Sequence, residues 1–449
     1  MLNDFLSNYP DIERIELVVT DPGGVVRGKW APVNTLKKAF GDGVNFPLSL
    51  HGLDVWGNEV DATGLHISSG DLDGFFKAVP ETLSAVPWAG DGKQIKSAQL
   101  ILETFNADGT PFSGCSRQVL NSVKRRCAEQ GINPVVAFEL EFHLLTPDAV
   151  TEGRAPEIAQ LRGIEDAQYM YDLDALASSS ELFEDIRTAA QLAAIPLDTI
   201  VKEAAPGQYE INLNHRDDIV RAADDVVLLK RIIRECARKH GYVATFMAKP
   251  FAQQPGNGMH VHCSLLDGQG GNIFKGSEGE AKLESAVAGL LRHMHASTLV
   301  FVNTINGFRR MAAGSYAPTR TNWGENNRSV AIRLPAAPED ARRIEHRVAG
   351  ADANPYLVAA MILGAMLDGM KHGLSAQPKL EGNAYDENTA NRGDRLPETP
   401  LAALAAYQQS DFPEQVLGGQ LADIVSAIKQ SEQASFSSQI HPLEWQSYI

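Results

Sequence analysis

A chain of 449 residues that is 44% hydrophobic and 21% charged has room for two domains with substantial cores. Its formal net charge of −16 at pH 7 argues against a nucleic-acid partner. The four cysteines, Cys115, Cys127, Cys236 and Cys263, form no C-x-x-C pair, which argues against a disulfide framework or a cysteine-built zinc site and fits a reducing compartment. The amino terminus shows no secretory signal. The longest apolar stretch, Tyr356 to Leu367, is too short for a membrane span and reads as a buried helix, so no membrane partner and a cytoplasmic location are expected.

The first hundred residues alternate short strands with turns. The run from Ile15 to Thr20 is a strand, followed by the hairpin punctuation Asp21-Pro22-Gly23-Gly24, and Leu100 to Phe105 is another strand. The turn at 106–112 is the expected domain boundary, giving domains 1–108 and 109–449. A helix follows from Ser116, whose hydroxyl is a candidate cap, to a stop at Gly131. No G-x-G-x-x-G or G-x-x-x-x-G-K-[ST] loop is present, so phosphate handling must rest on cations and arginines. The segment from Gln377 to Pro400, rich in Asn, Asp, Glu and Gly, reads as a surface excursion.

Four segments place too many polar groups on strand faces. From Val135 to Leu144, period-2 geometry sets Glu139, Glu141 and His143 on one face and Phe138, Leu140 and Phe142 on the other. The bland reading is a half-exposed strand with a solvated acidic face, although adjacent carboxylates repel unless water or a cation separates them. A Pro-Gly turn separates Glu203 from Glu210, which alternates with Tyr209 and Ile211. His260, His262 and Ser264 share a face of a strand entered through Gly256-Asn257-Gly258. Arg343, Glu345 and Arg347 alternate over 341–348, and Arg328 and Arg333 lie upstream. Taken together, carboxylates with few histidines suit Mg²⁺ or Mn²⁺ better than zinc. Arginines clamp phosphate and carboxylate oxygens, and the two together are the equipment of phosphoryl transfer.

The ordered motifs Phe138-Glu-Leu-Glu141, Glu203-Ala-Ala-Pro-Gly-Gln-Tyr-Glu210, Gly258-Met-His-Val-His262-Cys-Ser264, Asn327-Arg-Ser-Val-Ala-Ile-Arg333, Arg343-Ile-Glu-His-Arg347 and Ala353-Asn-Pro-Tyr-Leu357 resemble glutamine synthetases of the bacterial type. The resemblance spans nearly the whole chain. It implies an α+β fold, with an N-terminal β-grasp domain and a catalytic domain on a curved, mostly antiparallel sheet. It also implies active sites shared between subunits of a homo-oligomer, a dodecamer of two hexameric rings. The matching residues are Glu141, Glu203 and Glu210 for one metal ion and Glu139, His260 and Glu345 for another, with two to three ions per site. His262 matches a group near the ATP phosphates, Ser264 one near the adenine, and Arg333 and Arg343 phosphate contacts. Arg310, Arg347 and the backbone at Gly256 match the glutamate site, and Arg328 a group that assists phosphoryl transfer.

Two positions depart from the pattern. Ammonia-using members carry a glutamate just before an Ala-Pro pair, where this chain has Tyr316 before Ala317-Pro318. A neutral aromatic suits the carbon part of an amine better than ammonium. Asp54, the loose counterpart of an ammonium-site aspartate, reads equally well as a turn residue. The run Ser315-Tyr-Ala-Pro with Asn322-Trp-Gly is similar to γ-glutamylpolyamine synthetases, including those acting on putrescine. The resemblance therefore implies an ATP-dependent ligase joining glutamate to an organic amine. Methylamine or ethanolamine ligation ranks second and glutamine synthesis third. A guanidino kinase or a non-catalytic structural homologue are the alternatives of another class.

Overall fold

The computed structural model describes residues 1–89, 94–149 and 170–449. Among these described residues fourteen strands form two sheets. In the first, β1 (Arg14–Thr20) pairs antiparallel with β2 (Val26–Pro32) through the Asp21–Gly24 turn and parallel with β6 (Ser97–Phe105). The edge beyond β6 is built from β4 (Asp73–Ala78) and β3 (Val44–Pro47), and the short β5 (Ser84–Ala85) also pairs with β6.

The second sheet has eight strands. They are β7 (Asn133–Leu145), β8 (Leu197–Lys202), β9 (Gln208–Leu213), β10 (Val243–Thr245), β11 (Met259–Leu266), β12 (Trp323–Glu325), β13 (Ile332–Leu334) and β14 (Ile344–His346). The order is β12-β13-β14-β11-β7-β9-β8, with β10 also on β7, and every pairing is antiparallel except β12 with β13. The long strand β7 explains the arrangement. Phe138, Leu140 and Phe142 are wholly buried beneath the helices Ser116–Glu129 and Ile219–Lys239, so the alternate residues Glu139 and Glu141 must face away from the core.

The predicted buried helix runs from Pro355 to Lys371 and packs along Gly276–Phe301. Its cap is Asn354, whose side chain accepts from the N–H groups of Tyr356 and Leu357. The same amide donates to the Asp21 carbonyl at 2.9 Å and to the Ser116 hydroxyl at 3.2 Å, tying the first hairpin to the helices. Ser116 is therefore the first helical residue and caps nothing; its oxygen is taken by a group 238 positions away in sequence. Arg117 adds a second tie, donating to both oxygens of buried Asp224, at 2.9 and 3.0 Å, and to Glu103.

Two further expectations need adjustment. The strand expected over 341–348 is only Ile344–His346, since Glu339–Ala341 is a 3-10 turn; the Arg347 N–H bond to the Ala331 carbonyl carries the β13–β14 register one residue further. The segment from Gln377 to Pro400 is mostly exposed, as expected of a surface excursion, but buried Leu380, Ala384 and Leu396 anchor it. Among the described residues no helix is long and apolar enough to cross a membrane.

Candidate active site

The polar face of the second sheet gathers the motif residues by register. Glu139 on β7 lies opposite His260 on β11 and opposite Asn212 on β9; Glu141 lies opposite Glu210. One strand further on, Glu345 lies opposite His262 on one side and Arg333 on the other. Side chains complete what the register begins. Glu139 uses one oxygen on His260 Nδ1, at 3.0 Å, and the other on His262 Nε2, at 2.8 Å. Arg343 Nε donates to His262 Nδ1 at 3.2 Å, so the His262 proton sits on Nε2 and points at Glu139. Glu345 accepts from Arg333 at 2.6 Å and from Arg347.

These carboxyls divide into two electrostatic classes. Burial works to raise Glu139, but hydrogen bonds from His260 and His262 outweigh it and hold the carboxyl far below its ordinary range. Glu345 is lowered in the same way against its burial, chiefly by Arg347. Glu203 and Glu210 go the other way. Burial, reinforced by Glu141, pushes Glu203 up to about 7, and burial with Glu141, Glu139 and Glu203 nearby pushes Glu210 up to about 9. A face that crowds carboxylates until two of them resist ionising is a face that suits a cation. Among the described residues two compact donor groups lie within reach of an ion, Glu139–His262–Glu345 and Glu139–Glu210–His260, each with its ligand atoms within 4.8 Å of one another. This grouping differs from the expected one. Glu139 is common to both, and His262, expected only beside phosphate, joins a donor group. Glu141 and Glu203 lie alongside and complete the acidic lining.

A cavity of about 490 Å³ opens on this face. All six expected metal ligands line it, together with Gly256, Arg310, Arg328, Arg333, Arg347 and Tyr316. Arg310 is 5% exposed and donates to the Val348 carbonyl at 2.9 Å, while the Arg347 Nε is buried with no hydrogen-bond partner, a donor left for a ligand. Gly256 allows this closeness: a Cβ there would stand 2.3 Å from the Ala248 carbonyl oxygen and 3.0 Å from Arg310 Cγ. Its own carbonyl accepts from Gln208 Nε2 at 2.9 Å, and the Gly258 N–H donates to Glu141 Oε2 at 2.6 Å. Tyr316 stands at the mouth, 65% exposed, with φ +56, a conformation that tyrosine rarely adopts.

A second, larger cavity of about 800 Å³ meets the first at Glu139 and Asn212. It contains His262, Ser264 and Arg343, three of the four residues expected near the nucleotide; the fourth, Arg333, lines the smaller cavity. Ser264 Oγ donates to the Arg342 carbonyl at 3.0 Å. Asp54 is not brought to either cavity. Its carboxylate accepts from the N–H groups of Trp56 and Asn58 at 2.9 and 2.8 Å and from the Asn58 side chain at 3.0 Å, closing its own turn. Several lining residues escaped the sequence reading. Arg216 of the larger cavity falls on the alternation Glu210, Asn212, Asn214, a signal available in the sequence, whereas His215 is out of step with it and lies beyond the end of β9. Met170 and Tyr171, at the smaller cavity, have no such signal; the Tyr171 N–H reaches the Lys202 carbonyl, which only the folded chain brings near.

The family model of the glutamine synthetase catalytic domain matches residues 113–448. Gamma-glutamylputrescine synthetase PuuA of Escherichia coli is 38% identical over 447 residues, covering 98% of this chain and 93% of its own length. Glutamate–isopropylamine ligase of a Pseudomonas species is 34% identical, covering 86% of this chain and 83% of its own. Among solved structures, GmaS without ligand overlays with a TM-score of 0.86 and its ADP complex with 0.85, each 28% identical and covering 100% of this chain and 99% of the other. The motifs, the sheet that carries them and these matches over the full chain agree: the protein belongs to the glutamine synthetase family.

Proposed function

We propose that the chain is an ATP-dependent ligase joining the side-chain carboxylate of glutamate to an organic amine, putrescine or a kindred polyamine, through a γ-glutamyl phosphate. The observation that carries this reading is the wall shared by two cavities, one rich in arginine and carboxylate, the other in His262, Ser264 and Arg343. Glutamate belongs in the smaller, its carboxylates toward Arg310, Arg347 and the backbone at Gly256; ATP belongs in the larger. Glu139, Glu141, Glu203, Glu210, His260 and Glu345 would hold Mg²⁺ or Mn²⁺, two to three ions per site. Bound there, the ions offset the repulsion between an anionic nucleophile and ATP.

The chain's own groups order the rest. A glutamate side-chain oxygen takes the terminal phosphoryl group and ADP departs; the amine nitrogen then attacks the acyl carbon, phosphate leaves, and the nitrogen loses a proton. Arg343 in the larger cavity and Arg333 in the smaller are the proposed phosphate contacts, and exposed Arg328, at the smaller cavity, is the proposed partner of charge on the group in transit. Tyr316 supports an organic amine over ammonia, because an exposed phenol at the mouth offers surface to a carbon chain and no fixed charge to ammonium. The two relatives that act on putrescine and isopropylamine point the same way. The isopropylamine relative also favours a second reading, ligation of a short monoalkylamine.

Glutamate-dependent ADP release measured with ammonium, methylamine, ethanolamine, putrescine and spermidine tests the assignment. Putrescine or spermidine should give the highest kcat/KM, and ammonium in first place would overturn it. We further propose a homo-oligomer of two stacked hexameric rings in the cytoplasm; exposed Trp30, Trp56 and Trp445 support association, and the four free thiols fit a reducing compartment. Light scattering should give a particle near twelve chains.

A further inference from the structure

We infer that Tyr385 is a positioning residue for the amine end of the cavity, holding the loop that presents Tyr316 by donating its hydroxyl to the Ala317 carbonyl at 2.9 Å. The inference rests on the reading of Tyr316 just given. Arg310 fixes the start of the loop, donating to the carbonyls of Val348 and Arg347, but from Ala312 to Ala317 the remaining bonds are local: Ser315 Oγ donates toward the carbonyls of Arg310 and Ala312, at 3.0 and 2.5 Å, and accepts from the Ala317 N–H at 3.3 Å. Such local bonds shape a loop without anchoring it, and Tyr316 within it sits in the left-handed region that disfavours a bulky side chain. The bond from Tyr385 comes from outside and lands on the next residue, Ala317, which is 1% exposed. Tyr385 is not among the residues lining the cavity; its hydrogen bond reaches the Tyr316 loop through Ala317.

The turn that carries Tyr385 is itself braced. The Tyr385 N–H donates to Asn383 Oδ1 at 3.0 Å, and the Ala384 N–H to Ser329 Oγ at 3.0 Å. The Gly382 carbonyl accepts from Asn327 Nδ2 at 2.8 Å. One short turn, 382–385, thus grips both flanks of the cavity mouth, the loop of Tyr316 and the turn of Arg328. Burial pushes the Tyr385 phenol up to about 12 against the pull of Arg310 and Arg347, so it stays a neutral donor at working pH. When the anchor is lost, the strained conformer is one among several, and the apparent affinity for the amine falls by the fraction of time it is occupied.

Tyr385→Phe removes the donor and keeps the ring. It should raise the KM for putrescine about 3- to 10-fold, the range of one hydrogen bond, with kcat, the KM for glutamate and Tm near wild type. Hydroxylamine is the control nucleophile: it has no carbon chain to seat, so γ-glutamyl hydroxamate formation should not change. Asn383→Ala, which loosens the turn and leaves the tyrosine intact, should shift the putrescine KM in the same direction by less, and serves if Tyr385→Phe folds poorly. An unchanged putrescine KM in both variants overturns the inference, as does a glutamate KM that rises in step with it. A wild-type protein that forms no hydroxamate would instead overturn the ligase reading beneath it.

Discussion

Adding Mg²⁺ to the metal-free protein at pH 7 should expel protons, and two carboxyls determine how many. Glu210, pushed up to about 9 by burial and by Glu141, is almost wholly protonated at that pH; Glu203, pushed up to about 7 by the same causes, is half protonated. A cation that draws both into the ionised form therefore releases about 1.5 protons at pH 7, about 1 at pH 8 and about 0.5 at pH 9. Calorimetric titration in two buffers of different ionisation enthalpy measures that number, and Glu210→Gln should lower it by about 1 at pH 7. A carboxyl whose folded value lies above its unfolded one disfavours the fold increasingly as pH rises from the unfolded value to the folded one, here from 4.5 to about 9. Lys202 and Lys230, lowered by burial to about 8 and about 7, act oppositely across part of that window, with or without the ion. The readout is therefore the Mg²⁺-dependent gain in Tm, which should grow from pH 6 to pH 9. Identical heats in the two buffers at pH 7 would refute the assignment of Glu203 and Glu210 to a cation site.

Three substitutions test the rest of the cavity. Glu210→Ala should reduce ATP turnover by at least about 100-fold, and near-normal turnover would remove Glu210 from the metal set. Tyr316→Glu introduces a charged acceptor at the mouth and should raise the ratio of kcat/KM for ammonium to that for putrescine about 10- to 100-fold; a constant ratio would mean that the amine is chosen elsewhere. Gly256→Ala forces a Cβ to within 2.3 Å of the Ala248 carbonyl oxygen, so the backbone must shift; kcat/KM for glutamate should fall about 10- to 100-fold and the Tm should fall with it. A wild-type value would show that the backbone at 256 does not position the substrate.

The parts legible in the sequence were those with a short period. Alternation alone placed Glu139 and Glu141 away from Phe138, Leu140 and Phe142, and the buried helix from Pro355 announced itself by its unbroken apolar run. The ordered motifs then identified the family, and the sheet brings their residues to one face. What was not legible depends on contacts between distant positions. Nothing near Ser116 shows that its hydroxyl serves Asn354, 238 positions away. The shared role of Glu139 between two donor groups arises from strands β9, β11 and β14 converging around β7, which no single motif encodes.

Glu141 stands between two ligands. Its Oε2 receives the Gly258 N–H at 2.6 Å, so on the proposed assignment the lip of the glutamate loop leans on an oxygen that the cation would also claim. A cation that takes that oxygen changes the loop on which glutamate is to settle, and glutamate that stiffens the loop changes what the oxygen offers the cation. The two routes to the doubly occupied site begin and end at the same states, so their free energies must agree. Whatever factor the metal imposes on glutamate affinity, glutamate imposes on metal affinity. The order of addition then decides which half-filled species is seen on the way, and leaves the final occupancy unchanged.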